Sequence, residues 1–164
     1  MLGEIFNWQF LTVTLMSAVG SVGFSMLFRI NRRYLPSVAI GGSLTYVTYY
    51  IIEVLTGSLF LAGLISSISF SLYSEIMARV KRAPAVIFLL PSAIPIVPGG
   101  SLYYSMSALI AKDSALALIH LTNAVMIGIG IAAGTVVVSV LFAAYRGARQ
   151  KIYASRAAKN ECNR

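Results

Sequence analysis

Five long runs of this sequence contain almost no charged residue, and each is long enough to cross a membrane as a helix. The runs cover residues 5–28, 37–57, 58–78, 85–111 and 115–145, and their only acidic or basic residues are Glu53, Glu75 and His120. About 20 apolar residues cross the hydrocarbon core as a helix. The chain is 11% charged, whereas a soluble domain carries about a quarter charged residues. We therefore predict an all-α polytopic membrane protein, with five transmembrane helices (spans 1 to 5) in residues 1–145.

The basic residues predict an orientation for these spans. Twelve follow spans 1, 3 and 5: Arg29, Arg32, Arg33, Arg79, Lys81, Arg82, Arg146, Arg149, Lys151, Arg156, Lys159 and Arg164. Only Lys112 lies on the other side of a five-span topology. Because basic residues mark cytoplasmic loops, we expect the amino terminus outside and a basic cytoplasmic tail over residues 146–164. We also expect the tail to contact anionic membrane lipid.

Cys162, the single cysteine, allows this orientation to be measured. A membrane-impermeant thiol reagent is expected to leave Cys162 unlabelled in intact cells and to label it after lysis, because the tail is predicted to be cytoplasmic. Labelling in intact cells contradicts the orientation.

Span 4 is interrupted near its middle by residues that break helices. They are Pro91, Pro95, Pro98, Gly99 and Gly100. Each proline removes a backbone donor and leaves the carbonyl four residues earlier without its partner. The carbonyls concerned are those of Ile87, Pro91 and Ile94. Since an unsatisfied polar group in hydrocarbon costs several kcal/mol, we expect a broken span at the centre of the bundle.

The restart of span 4 after Pro98 is a candidate substrate site. A helix N-terminus carries roughly half a positive charge and presents free amides, which favours a carboxylate. Glycine lets a solute approach the backbone closely, and a tyrosine hydroxyl supplies a donor or a gate. The candidate substrate-binding residues are Pro98, Gly99, Gly100, Ser101, Tyr103 and Tyr104. The alternative is a kink required only for packing.

Two further pairs of residues are candidates for a polar path or for proton coupling. Tyr49 and Glu53 lie one helical turn apart in span 2, and His120 and Asn123 lie one turn apart in span 5. Ionisable groups inside spans usually face protein or water, and histidine exchanges protons near neutral pH. The alternative is that Glu53 and His120 are interfacial residues near the outer ends of their helices.

Small residues in span 5 indicate a close helix contact. Gly130 and Gly134 have the four-residue spacing that lets two helix backbones approach in lipid. Span 5 is also longer than one crossing needs, so it either projects from the membrane or kinks near Gly128, Gly130 or Gly134.

The sequence does not support enzyme chemistry. It holds one Asp, one His and one Cys, and no residue cluster suits a catalytic metal. We expect no catalytic residue, metal or cofactor. The basic residues that give the chain its net charge of +8 lie between and after the apolar runs. They therefore do not indicate binding of nucleic acid.

Two stretches resemble a known family. Span 1 contains AVGSVGFSMLF at residues 18–28, and span 4, preceded by Pro84, contains IPIVPGGSLY at residues 94–103. The combination of Val-Gly-Phe-x-x-x-Phe with Pro-x-x-Pro-Gly-x-x-x-Tyr resembles the small five-helix subunit of the threonine/serine exporter family in its split, two-gene form. The resemblance extends over nearly the whole chain. The resemblance marks the following as structural positions: Gly23, Phe24, Phe28, Pro95, Pro98, Gly99 and Tyr103. The breaks and spacings of the sequence add Pro91, Gly130 and Gly134 to these structural positions.

The resemblance implies a function and a partner. Such proteins export small carboxylate-bearing metabolites, such as threonine, serine or a succinate-type dicarboxylate, across the bacterial inner membrane. A small subunit works with a larger five-helix subunit. Two other hypotheses stay open: a self-sufficient homo-oligomeric channel or transporter, and a membrane scaffold without a solute path.

Overall fold

A computed structural model describes residues 8–161, with side chains for residues 8–145 and the position of Gly147. Its six α-helices are α1 (Trp8–Leu27), α2 (Leu35–Thr56), α3 (Leu59–Lys81), α4 (Val86–Ala93), α5 (Gly99–Ile110) and α6 (Ser114–Glu161). Short 3₁₀ turns at Arg32–Tyr34 and Ile94–Ile96 precede α2 and follow α4. The described residues form no β-strand, which confirms the prediction of an all-helical protein.

Four helices are long and apolar enough to cross a membrane: α1, α2 with the turn before it, α3, and the Ser114–Tyr145 part of α6. A further candidate is the pair Val86–Ile96 and Gly99–Ile110, which meets at a bend of 46°. The described chain thus has four candidate spans, or five if the bent pair counts as one. α6 runs as one helix from Ser114 to Glu161. Its 48 residues correspond to about 70 Å, more than twice the hydrocarbon thickness.

The helices pack around α3, which has extensive contacts with α6 on one side and with α2 on another. α1 packs on α2, and α4 packs on both α2 and α3. The α2–α3 hairpin turns at Gly57, where φ is 63°. Ser58 then caps α3 by accepting a hydrogen bond from the Leu61 amide at 3.5 Å.

The interior of the bundle is made of small and hydroxyl-bearing residues, while large apolar side chains lie outside. Fully buried hydroxyl side chains include Ser21, Ser25, Thr45, Ser66, Ser67, Ser74 and Ser92. Most of them bond within their own helix, as Thr45 does to the Gly41 carbonyl at 2.8 Å. Exposed leucine, isoleucine, valine and methionine residues cover the outer surfaces. This arrangement suits a bilayer, where close packing of small residues holds helices together.

Glycines bring α6 into backbone contact with α3. A Cβ added at Gly130 would lie 2.6 Å from the Phe60 carbonyl oxygen, and one added at Gly134 would lie 2.6 Å from that of Leu64. Ser67 bridges the two helices by donating to the Gly130 carbonyl at 3.3 Å. The neighbour of this small-residue face is therefore a helix of the same chain.

A second set of close contacts surrounds the Gly41–Gly42 pair of α2. A Cβ on Gly41 would overlap Ser92 of α4, and one on Gly42 would overlap Ser21 of α1. Close by, the Tyr73 hydroxyl of α3 donates to the Ser37 carbonyl of α2 at 2.7 Å. Four helices thus meet at this point without room for an added methyl group.

Candidate transport site

A tight turn joins α4 to α5. Its backbone amides donate to most of the carbonyls that lose their α-helical donor because of a proline. The Ile94 amide donates to the Pro91 carbonyl, and the Val97 amide donates to the Ile94 carbonyl at 3.2 Å. These i to i−3 bonds replace the lost α-helical bonds. The expectation that the Pro91 and Ile94 carbonyls lack a donor is therefore wrong, because 3₁₀ geometry takes donors from nearer residues.

The start of α5 is open. Pro98 occupies the N-cap position and provides no side-chain cap. The Gly99 amide donates to the Val97 carbonyl, outside the helix, at 2.7 Å, so it is not available to a ligand. Within residues 8–161, the backbone amides of Gly100 and Ser101 make no hydrogen bond. An added Cβ at Gly99 or Gly100 would meet nothing within 4 Å, so a ligand can approach this helix end.

The bend separates the two halves of the broken span. Phe88, Pro91 and Ser92 of α4 are fully buried among the other helices. α5 leaves this interior and makes its substantial contacts with α6 alone. The expectation of a central span thus holds for α4 and is wrong for α5 in this chain. The reason is the 46° bend, which carries the second half to the edge of the bundle.

The α5–α6 contact brings together two candidates from different spans. The Tyr104 and His120 rings lie 5.6 Å apart between centroids, and Ser105 donates to the Ala117 carbonyl at 3.0 Å. Gly100 and Tyr104 are four residues apart, so they share one face of α5. Tyr103 and Tyr104 are 68% and 58% exposed. The open helix end, the two tyrosines and His120 therefore lie on neighbouring parts of one outer surface.

The other candidates lie elsewhere. Asn123 lies on an open face of α6 together with Ser114, Ala115, Leu118, Ile119 and Thr122. Tyr49 and Glu53 are half-buried on α2. Since α2 and α6 both pack on α3 but barely meet each other, the two polar pairs do not form one path in this chain.

The span 1 positions marked by the resemblance lie on the surface of the described bundle. Phe24 and Phe28 are 41% and 53% exposed, with ring centroids 6.3 Å apart. A Cβ at Gly23 would meet nothing within 4 Å. The contacts of Gly41, Gly42 and Ser92 were not singled out from the sequence, although the adjacent glycines in span 2 were a usable signal of a close helix approach.

A family model described as "Threonine/Serine exporter, ThrE" matches residues 13–141. The chain belongs to this family. The matched region extends from α1 into α6 and includes the open start of α5 and its contact with His120. No curated protein and no solved structure matches the chain. Membership in the threonine/serine exporter family, together with the apolar helices, indicates a multi-pass membrane transport protein from a family of exporters rather than enzymes.

Proposed function

We propose that this threonine/serine exporter family protein is one subunit of a bacterial inner-membrane exporter for small carboxylate-bearing metabolites. Threonine, serine and a succinate-type dicarboxylate are the substrate candidates. The observation that carries the proposal is the open start of α5, where the Gly100 and Ser101 amides lack intrahelical partners. A helix end of this kind in a broken span offers a binding site for a carboxylate.

The exposure of α5 supports a partner. Unsatisfied amides and tyrosine hydroxyls are unfavourable in hydrocarbon, yet Gly99, Gly100 and Tyr103 face outward from this chain. A second membrane subunit covers this surface in the proposed transporter and leaves a passage for the solute beside the α5 start. The partner we propose is a larger five-helix protein of the same family. Five spans place the two termini on opposite sides of the membrane, so a second such unit is readily inverted, as in repeat-based transporters.

Co-expression tests this proposal. The chain is expressed alone and together with the proposed larger five-helix subunit, and that subunit is also expressed alone. Efflux of threonine, serine and succinate is measured from loaded cells in each case. We expect export only when both chains are present. Export by this chain alone favours the homo-oligomeric transporter instead. The absence of export in every combination, with both proteins in the membrane, contradicts a transport role and favours a scaffold.

A further inference from the structure

Four helix ends in the described chain pass through the left-handed backbone region, and only one does so with glycine. The left-handed residue just after α2 is Gly57, whereas those just after α1, α3 and α5 are Arg29, Arg82 and Lys112, where φ is 54°, 51° and 60°. At the last three ends, the next amide donates to the carbonyl five residues earlier: Ile30 to Ser25, Ala83 to Ala78 and Asp113 to Ala108. This is the closure that normally selects glycine.

The basic residues at these ends adopt a backbone conformation that is unfavourable for any residue with a side chain. A side chain in the left-handed region collides with the following carbonyl, and glycine avoids that collision. The helix dipole favours a cation at a helix C-terminus, but it acts equally at all three ends and also at Gly57. The use of Gly57 in α2 shows that this chain accommodates glycine at such an end. The backbone conformation and the helix dipole thus do not distinguish Arg29 and Arg82 from Lys112; the charge of their surroundings does.

Arg29 and Arg82 belong to one strongly positive surface, which we call the basic end. It is the end of the bundle where α1 and α3 finish and α2 and α4 begin. The Tyr34 and Phe88 rings meet edge to face at 5.5 Å between centroids, which holds the two connections side by side. The basic end comprises Arg29, Arg32, Arg33, Arg79, Lys81 and Arg82.

The balancing negative charge at this surface is small. Among the acidic residues with described side chains, only Glu75 lies near the basic end. The Arg79 guanidinium is directed toward α6, where it lies 4.6 Å from the Phe142 ring centroid. Arg29 and Arg82 are both exposed. Lys112 is at the opposite end of the bundle and is followed directly by Asp113, so the net charge there is close to zero.

We propose that the basic end binds the headgroups of anionic phospholipids in the folded protein, with Arg29 and Arg82 as principal contacts. A cationic surface at the rim of a membrane protein complements the phosphates of such lipids. Each Lys or Arg near a bilayer strengthens attraction to anionic lipid by about fivefold in affinity. Orientation during membrane insertion also uses basic residues, but that role ends once the protein is folded, whereas headgroup binding continues.

The test compares the full chain in phosphatidylcholine nanodiscs with the same discs containing increasing phosphatidylglycerol. We expect the thermal midpoint of the native protein to rise with phosphatidylglycerol. The double variant Arg29→Gly/Arg82→Gly is expected to start higher than the native protein in pure phosphatidylcholine, because glycine relieves both helix ends. It is expected to lose part of the rise, and its apparent affinity for phosphatidylglycerol falls by about fivefold per arginine.

Matched variants separate the causes. Lys112→Gly relieves the same backbone conformation away from the basic end, so it keeps the native response to phosphatidylglycerol. Arg32→Gln/Lys81→Gln removes charge without changing a left-handed residue, so it weakens the response to phosphatidylglycerol without raising the midpoint in phosphatidylcholine. If the glycine variant does not fold, this glutamine variant tests the proposal in its place. Soluble glycerol phosphate added to phosphatidylcholine discs is expected to have no effect. A native protein indifferent to phosphatidylglycerol, or charge-removing variants with the full native response, overturns the proposal.

Discussion

Replacing Gly99 with leucine is expected to block most of the export while the protein still reaches the membrane. A Cβ at Gly99 meets nothing within 4 Å, so the new side chain starts in open space. It occupies the space in front of the Gly100 and Ser101 amides, where the carboxylate is proposed to bind. Hydrogen bonds to a charged group contribute about 1.5–3 kcal/mol each, so efflux is expected to fall by about tenfold or more.

Efflux from loaded cells measures this effect, with membrane levels of each variant determined in parallel. Gly128→Leu is the matched control, because Gly128 also has nothing within 4 Å of an added Cβ and lies away from the break. Tyr103→Phe removes only a hydroxyl and is expected to be milder, with a change in substrate preference. If Gly99→Leu is present at normal levels and exports at the native rate, the break serves packing alone.

Replacing Gly130 with alanine is expected to weaken the whole bundle, because it separates α3 from α6. The added Cβ would lie 2.6 Å from the Phe60 carbonyl oxygen and 3.0 Å from the Leu64 nitrogen. Both atoms belong to the backbone of α3, which cannot move aside as a flexible side chain does. Overpacking of this kind costs about 1–3 kcal/mol, a substantial part of a typical stability of about 5–15 kcal/mol.

Thermal unfolding of the purified protein measures the loss, and Gly128→Ala provides the comparison on the same helix. Alanine at residue 128 enters open space and favours the helix by about 1 kcal/mol over glycine, so it is expected to leave the midpoint unchanged or raise it. Equal midpoints for Gly128→Ala and Gly130→Ala contradict the close α3–α6 contact.

The local pattern of residues was sufficient to predict the all-helical class, with long apolar helices, and the family. Hydrophobic runs and charged loops are properties of consecutive residues, so they can be read without knowing which helices are neighbours. Pro95, Pro98 and Gly99 lie at or beside the bend between α4 and α5. The same reasoning was wrong about the Pro91 and Ile94 carbonyls, because a 3₁₀ turn offers nearby donors that an α-helical register does not.

The tertiary structure decided which faces meet. Gly128, Gly130 and Gly134 are all glycines of the same helix, yet of these three only Gly130 and Gly134 touch α3. Which glycines make the contact depends on the rotation of α6 about its axis. The bend after Ile96 placed α5 against α6, which brought Tyr104 to His120 and left Tyr49 and Glu53 apart from them. The left-handed residues Arg29 and Arg82 were likewise evident only from the tertiary structure, because glycine is the residue from which a sequence predicts such a helix end. The sequence determined where helices form and break. The packing of small side chains determined which residues, far apart in the chain, share a site.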